Sequence, residues 1–251
     1  MIRRDYILRM IEEFIQVLSR INSLKRGQLW REASGVVDEE FERLTGAGAV
    51  AVAQLTDTEL LARLIKGEPT QVVRTKTLML TALFKEAGDL ASAQDRIEEG
   101  RSLYIKGLHL LLDTLAHEEP FECPEFVPRV EAFVAALQNS VLPLQTQARL
   151  MQHYERIGEF ARAEDWLFAM IETQPDNPDL VGFGILFYER LQGQSDVSLA
   201  AGNLPRAELD AGLAELRHKS VAAGAGSNAR FHSLKPGPPY GGYRVPDDRL
   251  V

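Results

Sequence analysis

Over residues 2–25 apolar side chains return every three or four positions. Ile7, Met10, Ile11, Phe14, Val17, Leu18, Ile21 and Leu24 form one wide stripe, and Glu12, Glu13, Gln16, Ser19 and Arg20 take the remaining face. A recurrence of about 3.6 residues predicts an amphipathic α-helix. Asp5 sits in its first turn, where a carboxylate suits the helix dipole. Gly27 is placed to end it. Residues 29–44 repeat the pattern, with Trp30, Ala33, Val37, Phe41 and Leu44 inward, so the two segments predict an antiparallel helical hairpin.

The same period governs most of the chain beyond residue 44. Residues 45–53 are small and Gly/Ala-rich and read as a loop or a helix entry. Thr56, with Glu59 three positions on, is a capping-box signature that opens a short helix to residue 66. Residues 71–87 and 90–117 form the next pair, hinged at Gly88-Asp89; the second member is apolar on more sides than one neighbour can cover. Pro120, Pro124 and Pro128 make 118–128 an irregular connector. Residues 130–142 predict a further helix, 144–157 and 160–173 a hairpin broken at Gly158, and 180–192 and 204–219 another. From residue 220 Gly, Ala, Ser and Pro take over. Residues 235–240 predict an extended, polyproline-like stretch. The expected layout is an all-α domain over 1–219 and a tail over 220–251.

Composition narrows the class. With 45% hydrophobic and 25% charged residues in 251, the chain is neither a disordered polymer nor a collagen-like fibre. The longest apolar run, residues 181–188, falls far short of the roughly 18–20 residues that a membrane-spanning helix needs. Residues 2–13 mix Arg3, Arg4 and Arg9 with Glu12 and Glu13, so no signal peptide is expected. The lone Cys123 suits a reducing compartment, and the expected location is the cytoplasm. Residues 217–251 hold six Lys/Arg and two Asp/Glu, a local +4, so within the net −8 the remainder carries −12. An acidic body repels phosphate backbones, which disfavours nucleic-acid binding. The mildly basic tail can dock on an acidic partner or on a second acidic body.

Three stretches share a pattern: Gly88-Asp89-Leu90-Ala91-Ser92-Ala93, Gly158-Glu159-Phe160-Ala161-Arg162-Ala163 and Gly202-Asn203-Leu204-Pro205-Arg206-Ala207. Gly suits a helix end, the apolar residue closes the turn, and Ala lets two helices approach. This resembles the tetratricopeptide repeat, a helix–turn–helix unit. Leu150, Tyr154, Gly158, Phe160, Ala163, Leu167 and Pro175 sit at that family's spacings; Leu80, Phe84, Gly88, Leu90 and Ala93 form a second copy, with Gly100 at the later small position. At the first hairpin Gly27-Gln28-Leu29 is followed by Ala33, one residue late. The turns at Gly27, Gly88, Gly158 and Gly202 are spaced 61, 70 and 44 residues apart, which predicts extra helices between the hairpins. The resemblance implies an irregular, right-handed TPR-like α-solenoid. Residues 2–12 are also similar to the first helix of an uncharacterised bacterial family of helical, repeat-like proteins, which brings no activity with it.

The candidate chemistry is sparse. His109, His117, His153, His218 and His232 show no close metal-ligand spacing, and no metal or other cofactor is expected. His117-Glu118-Glu119 reads as a helix end rather than a cation site. His153 reads as a surface or groove residue. Cys123, flanked by Glu122 and Glu125, reads as an inert thiol. Gly46-Ala47-Gly48 and Gly224-Ala225-Gly226-Ser227 lack the strand and the Lys-Ser/Thr step of a phosphate loop. The resemblance places Ala148, Arg149, Gln152, Glu155 and Arg156 on a concave face, where Arg149 and Arg156 suit a carboxylate. In the tail, Tyr240 and Tyr243 are aromatic anchors without a core of their own. The sequence therefore predicts a non-catalytic protein-interaction module, with Arg149, Gln152, Arg156, Tyr240 and Tyr243 as partner contacts. The alternative is a structural subunit whose tail docks on a neighbour in a homo-oligomer or larger assembly, and an enzyme of unrecognised type comes third.

Overall fold

The computed structural model describes residues 2–65, 67–116, 121–175 and 177–224. Among them are twelve α-helices and no strand. In chain order these are α1 (Ile2–Arg26), α2 (Trp30–Thr45), α3 (Ala49–Ala53), α4 (Asp57–Ile65), α5 (Thr70–Ala93) and α6 (Ile97–Leu115). Then come α7 (Val130–Ala136), α8 (Leu144–Arg156), α9 (Phe160–Thr173), α10 (Pro178–Gln192), α11 (Asp196–Ala201) and α12 (Arg206–Gly224). No described helix is long and apolar enough to cross a membrane. Tyr240, Tyr243, the polyproline-like stretch and the His117-Glu118-Glu119 run lie outside the described residues.

Local sequence accounts for most of these boundaries. The Thr56 N–H donates to Glu59 Oε2 at 2.7 Å, and the Glu59 N–H donates back to Thr56 Oγ1 at 3.2 Å, a reciprocal cap that starts α4. At α10, Asn177 Oδ1 accepts from the Asp179 N–H at 3.1 Å, with Pro178 at the position that tolerates it best. Two short helices stand outside the expected pairs: α3 lies in the stretch read as a loop or a helix entry, and α11 lies between the two helices expected at 180–192 and 204–219. α7 stops six residues before the expected end at 142, and α12 runs on to Gly224.

Four hairpin turns close in one way. A residue in the left-handed region is followed by one whose N–H reaches back to a carbonyl five positions earlier, as in a Schellman motif. The left-handed residues are Gln28 (φ 56°), Asp95 (φ 59°), Gly158 (φ 80°) and Asn203 (φ 57°). The closures are Leu29 to Leu24 at 3.0 Å, Arg96 to Ala91 at 2.9 Å, Glu159 to Tyr154 at 2.9 Å and Leu204 to Leu199 at 3.0 Å.

This corrects the expected hinge at Gly88-Asp89. α5 continues through both residues and turns at Asp95 instead. Gly88 is a packing slot: a Cβ there would lie within 3.0 Å of the Tyr104 ring. Asp89 takes the Tyr104 hydroxyl at 2.8 Å and the ammonium groups of Lys85 at 2.6 Å and Lys25 at 3.1 Å. In the observed register Ala33, Gly100 and Ala163 each stand five residues after the left-handed position. Ala33 is not late; Gln28, rather than Gly27, adopts the left-handed conformation.

The helices form the pairs α1–α2, α5–α6, α8–α9 and α10–α12, with α1 and α2 against α5, α6 against α8, and α9 against α10. α5 and α6 are the shared layer. Met79, Leu80, Leu83, Phe84, Leu103 and Leu110 face the core built with α1, α2 and α4. Leu78, Tyr104, Leu108, Leu111 and Leu112 face the core built with α7 to α12. That explains the broad apolar surface of α6, which has neighbours on both sides. Edge-to-face rings at Phe41–Phe84 (4.9 Å) and Phe14–Phe126 (5.2 Å) each add about 0.5–1.5 kcal/mol beyond area burial.

Candidate functional site

A polar cluster joins α4, α6 and α8. The cap at Thr56 places Asp57 at the start of α4. Lys106, on the apolar flank of α6 between Leu103 and Leu110, is only 9% exposed. Its ammonium donates to the Leu55 carbonyl at 2.6 Å and to Asp57 Oδ1 at 2.7 Å. Arg149 on α8 reaches Asp57 Oδ2 and Asp113 Oδ2, each at 3.2 Å. One turn along α6, His109 Nε2 lies 2.9 Å from Thr146 Oγ1.

Burial alone would raise the Asp57 carboxyl, but the Lys106 and Arg149 charges outweigh it and hold it below the usual carboxylate range. Burial, seconded by the Arg149 charge, pushes His109 down to about 4, so its ring is neutral at pH 7. The cluster pairs two cations with two carboxylates across three helices. Chemically it is a staple.

Of the residues that the sequence singles out, Arg149 thus holds two carboxylates of its own chain. Arg156 is exposed and donates to the Leu115 carbonyl at 3.1 Å. Glu155 accepts both arms of Arg190 from α10 at 2.7 and 2.8 Å. This face of α8 bridges α6 and α10, with Gln152 exposed between the two sets of links. The sequence reading misses Lys106, Asp57 and Asp113. A signal was present: Lys106 interrupts the run Leu103-Tyr104-Ile105-Lys106-Gly107-Leu108, and a lysine on an apolar stripe demands a buried partner.

His153 is corrected from surface to core. It is 6% exposed, lies edge-on to Tyr154 at 5.3 Å, and its Nδ1 is buried without a hydrogen-bond partner. The helical period puts it beside Thr146 and Leu150 on the buried stripe of α8. Burial, then the Arg156 charge, lowers its pKa. Above it, Arg162 donates to the Tyr154 hydroxyl at 2.8 Å and to Glu131 at 3.2 Å, with its guanidinium 4.1 Å from the Tyr154 ring centre. Cys123 is exposed, and partial burial of its thiol pushes the pKa up, away from the thiolate. Among the described residues no three His, Cys, Asp or Glu side chains converge as a metal site.

The concave features are shallow. A cleft of about 270 Å³ lies between Val50, Ala53 and Gln54 on one side and Glu98, Glu99, Ser102 and Leu103 on the other. Along α1 the apolar stripe continues around the helix beyond its buried side. Met10, Phe14 and Ile21 are buried, whereas Leu8 and Ile15 are each 49% exposed, with Ile11 and Leu18 half-buried beside them.

Residues 1–221 match a family of unknown function, DUF6483. No curated protein and no solved structure matches the chain.

Proposed function

The chain belongs to the DUF6483 family of unknown function, and we propose that it is a non-catalytic protein-interaction module built on a TPR-like helical surface. One observation carries this reading: α1 has a wider apolar arc than the described residues cover, leaving Leu8 and Ile15 half exposed in line with Ile11 and Leu18. Scattered apolar residues are ordinary on a protein surface, but a continuous stripe beside a core is a docking feature. Gln152 between the braced arginines of α8, and the tail tyrosines Tyr240 and Tyr243, serve as secondary contacts in the same scheme.

The test is a photo-crosslinking side chain installed at Ile15 or at Gln152, with adducts identified by mass spectrometry from the native host. A stoichiometric protein adduct at Ile15 is the expected result. Absence of any protein adduct at both positions, together with a small molecule that clearly raises the melting temperature, overturns the reading and revives that of an enzyme.

A further inference from the structure

Resting on that interaction reading, we infer that the outer face of α1 seats a second copy of this chain, the two α1 helices packing antiparallel about a twofold axis. Leu8, Ile11, Ile15, Leu18 and Asn22 succeed one another in steps of three and four residues, the spacing of a coiled-coil seam. A concavity of about 490 Å³ runs beside the later half of this face, along Ile15, Leu18, Ser19, Asn22, Ser23 and Arg26.

Charge selects the occupant. One edge of the seam carries Asp5, Glu12, Ser19 and Arg26 at seven-residue intervals, all exposed. It is acidic towards its start, neutral in the middle and basic at its end. When Ile15 packs against Leu18 of the second copy in an antiparallel pair, Asp5 flanks Arg26 of that copy at both ends and Glu12 flanks Ser19. A parallel pair would instead set this charged edge against the Phe14–Ile21 edge of the second copy, where it finds no opposite charge. The opposite edge holds Phe14 and Ile21, which are fully buried in their own core, so the second copy has one open side to occupy. Asn22 falls opposite Ile11, where a single polar residue fixes register at some cost in affinity. One helix pair covers less than the roughly 800 Å² per partner of a standard interface, so the dimer is a reversible, micromolar one.

Sedimentation velocity on the full chain, from sub-micromolar to high-micromolar concentration, tests this, with melting curves to confirm that each variant folds. Wild type should show a monomer–dimer equilibrium. Ile15→Glu should raise Kd by about tenfold or more; if it fails to fold, Leu8→Gln at the other half-exposed position gives the same readout. Asp5→Arg and Arg26→Asp should each weaken the dimer several-fold, and the double variant should restore it. A monomer at every concentration overturns the proposal, as does a dimer indifferent to Ile15→Glu or a double variant that fails to recover. A monomer combined with a photo-crosslink from position 15 to a different protein overturns the second copy alone and leaves the interaction function standing.

Discussion

Gly158 and Gly88 stand in matching hexapeptides, each Gly, an acid, an apolar residue, Ala, a polar residue and Ala, yet one ends a helix and the other lies inside one. At Gly158 a Cβ would meet nothing within 4 Å, and the backbone is left-handed with φ 80°. The site is open, and glycine is there for its backbone freedom. At Gly88 the backbone is helical and the space is full: the Tyr104 ring of α6 occupies the place of the missing side chain, and its hydroxyl bonds Asp89. Glycine is there for its smallness. The left-handed position in α5–α6 passes to Asp95, a residue type that tolerates it. A glycine trailed by an acid and an apolar residue is thus two different signals, and the helix on the other side decides which one is read.

The largest effect expected from this contrast is at Gly88. Gly88→Ala forces a Cβ into the Tyr104 ring and should cost about 2 kcal/mol in urea unfolding, the range for overpacked cores. Removing the ring as well, in Gly88→Ala with Tyr104→Leu, should cost less than the two single changes added together. If Gly88→Ala is neutral or stabilising, the slot is not tight and the contrast fails.

Acid should come next. The folded pKa of His109 is near 4, below its ordinary 6.5, so between those values the unfolded chain binds the extra proton. That contribution is complete above about pH 6.5 and is lost as pH falls towards 4. His153 is shifted in the same direction. Asp57 and Asp89, both held below the usual carboxylate range, add their own loss at lower pH. Glu164, raised by burial, works the opposite way. Urea midpoints measured from pH 7 down to pH 4 should therefore decline, and His109→Asn should flatten the upper part of that decline. An unchanged slope in His109→Asn would show that this ring titrates alike in both states.

The smallest effects compare the two left-handed positions directly. Gly158→Ala meets no atom but must adopt a positive φ, and should cost about 1 kcal/mol. Asp95→Gly relieves a milder version of the same strain and should gain about 0.5 kcal/mol, part of it offset by the freer unfolded chain. Thermal unfolding of both variants checks the pair, and equal signs would contradict it.

Much of the fold was legible because helices are local objects. The stripes of α1, α2, α8 and α9, the Thr56–Glu59 cap and the turn at Gly158 depend on residues within one or two helical turns of each other, and the chain carries them openly. The candidate site was legible only in part. Gln152 was put on an open face of α8 only by the resemblance to helical repeats, and Arg149 looked free because Asp57 lies 92 positions away, while the Lys106 link to Asp57 spans 49. His153 was misplaced because the edge of a helical stripe is buried or exposed according to the neighbour that meets it. α11 was hidden by its shortness, since six residues give too few turns to show a period.

By itself, then, the sequence determined an all-α chain, the axes of its long helices and the sides they turn inward, since apolar spacing and end caps act over a few residues. Tertiary packing alone decided that α5 runs through Gly88, that Asp95 makes the turn, and that Lys106, Asp57, Arg149 and Asp113 share one partly buried network. Those outcomes turn on which side chain arrives from a distant helix. Excluded volume and unpaired charge act through space, and separation along the chain says nothing about them.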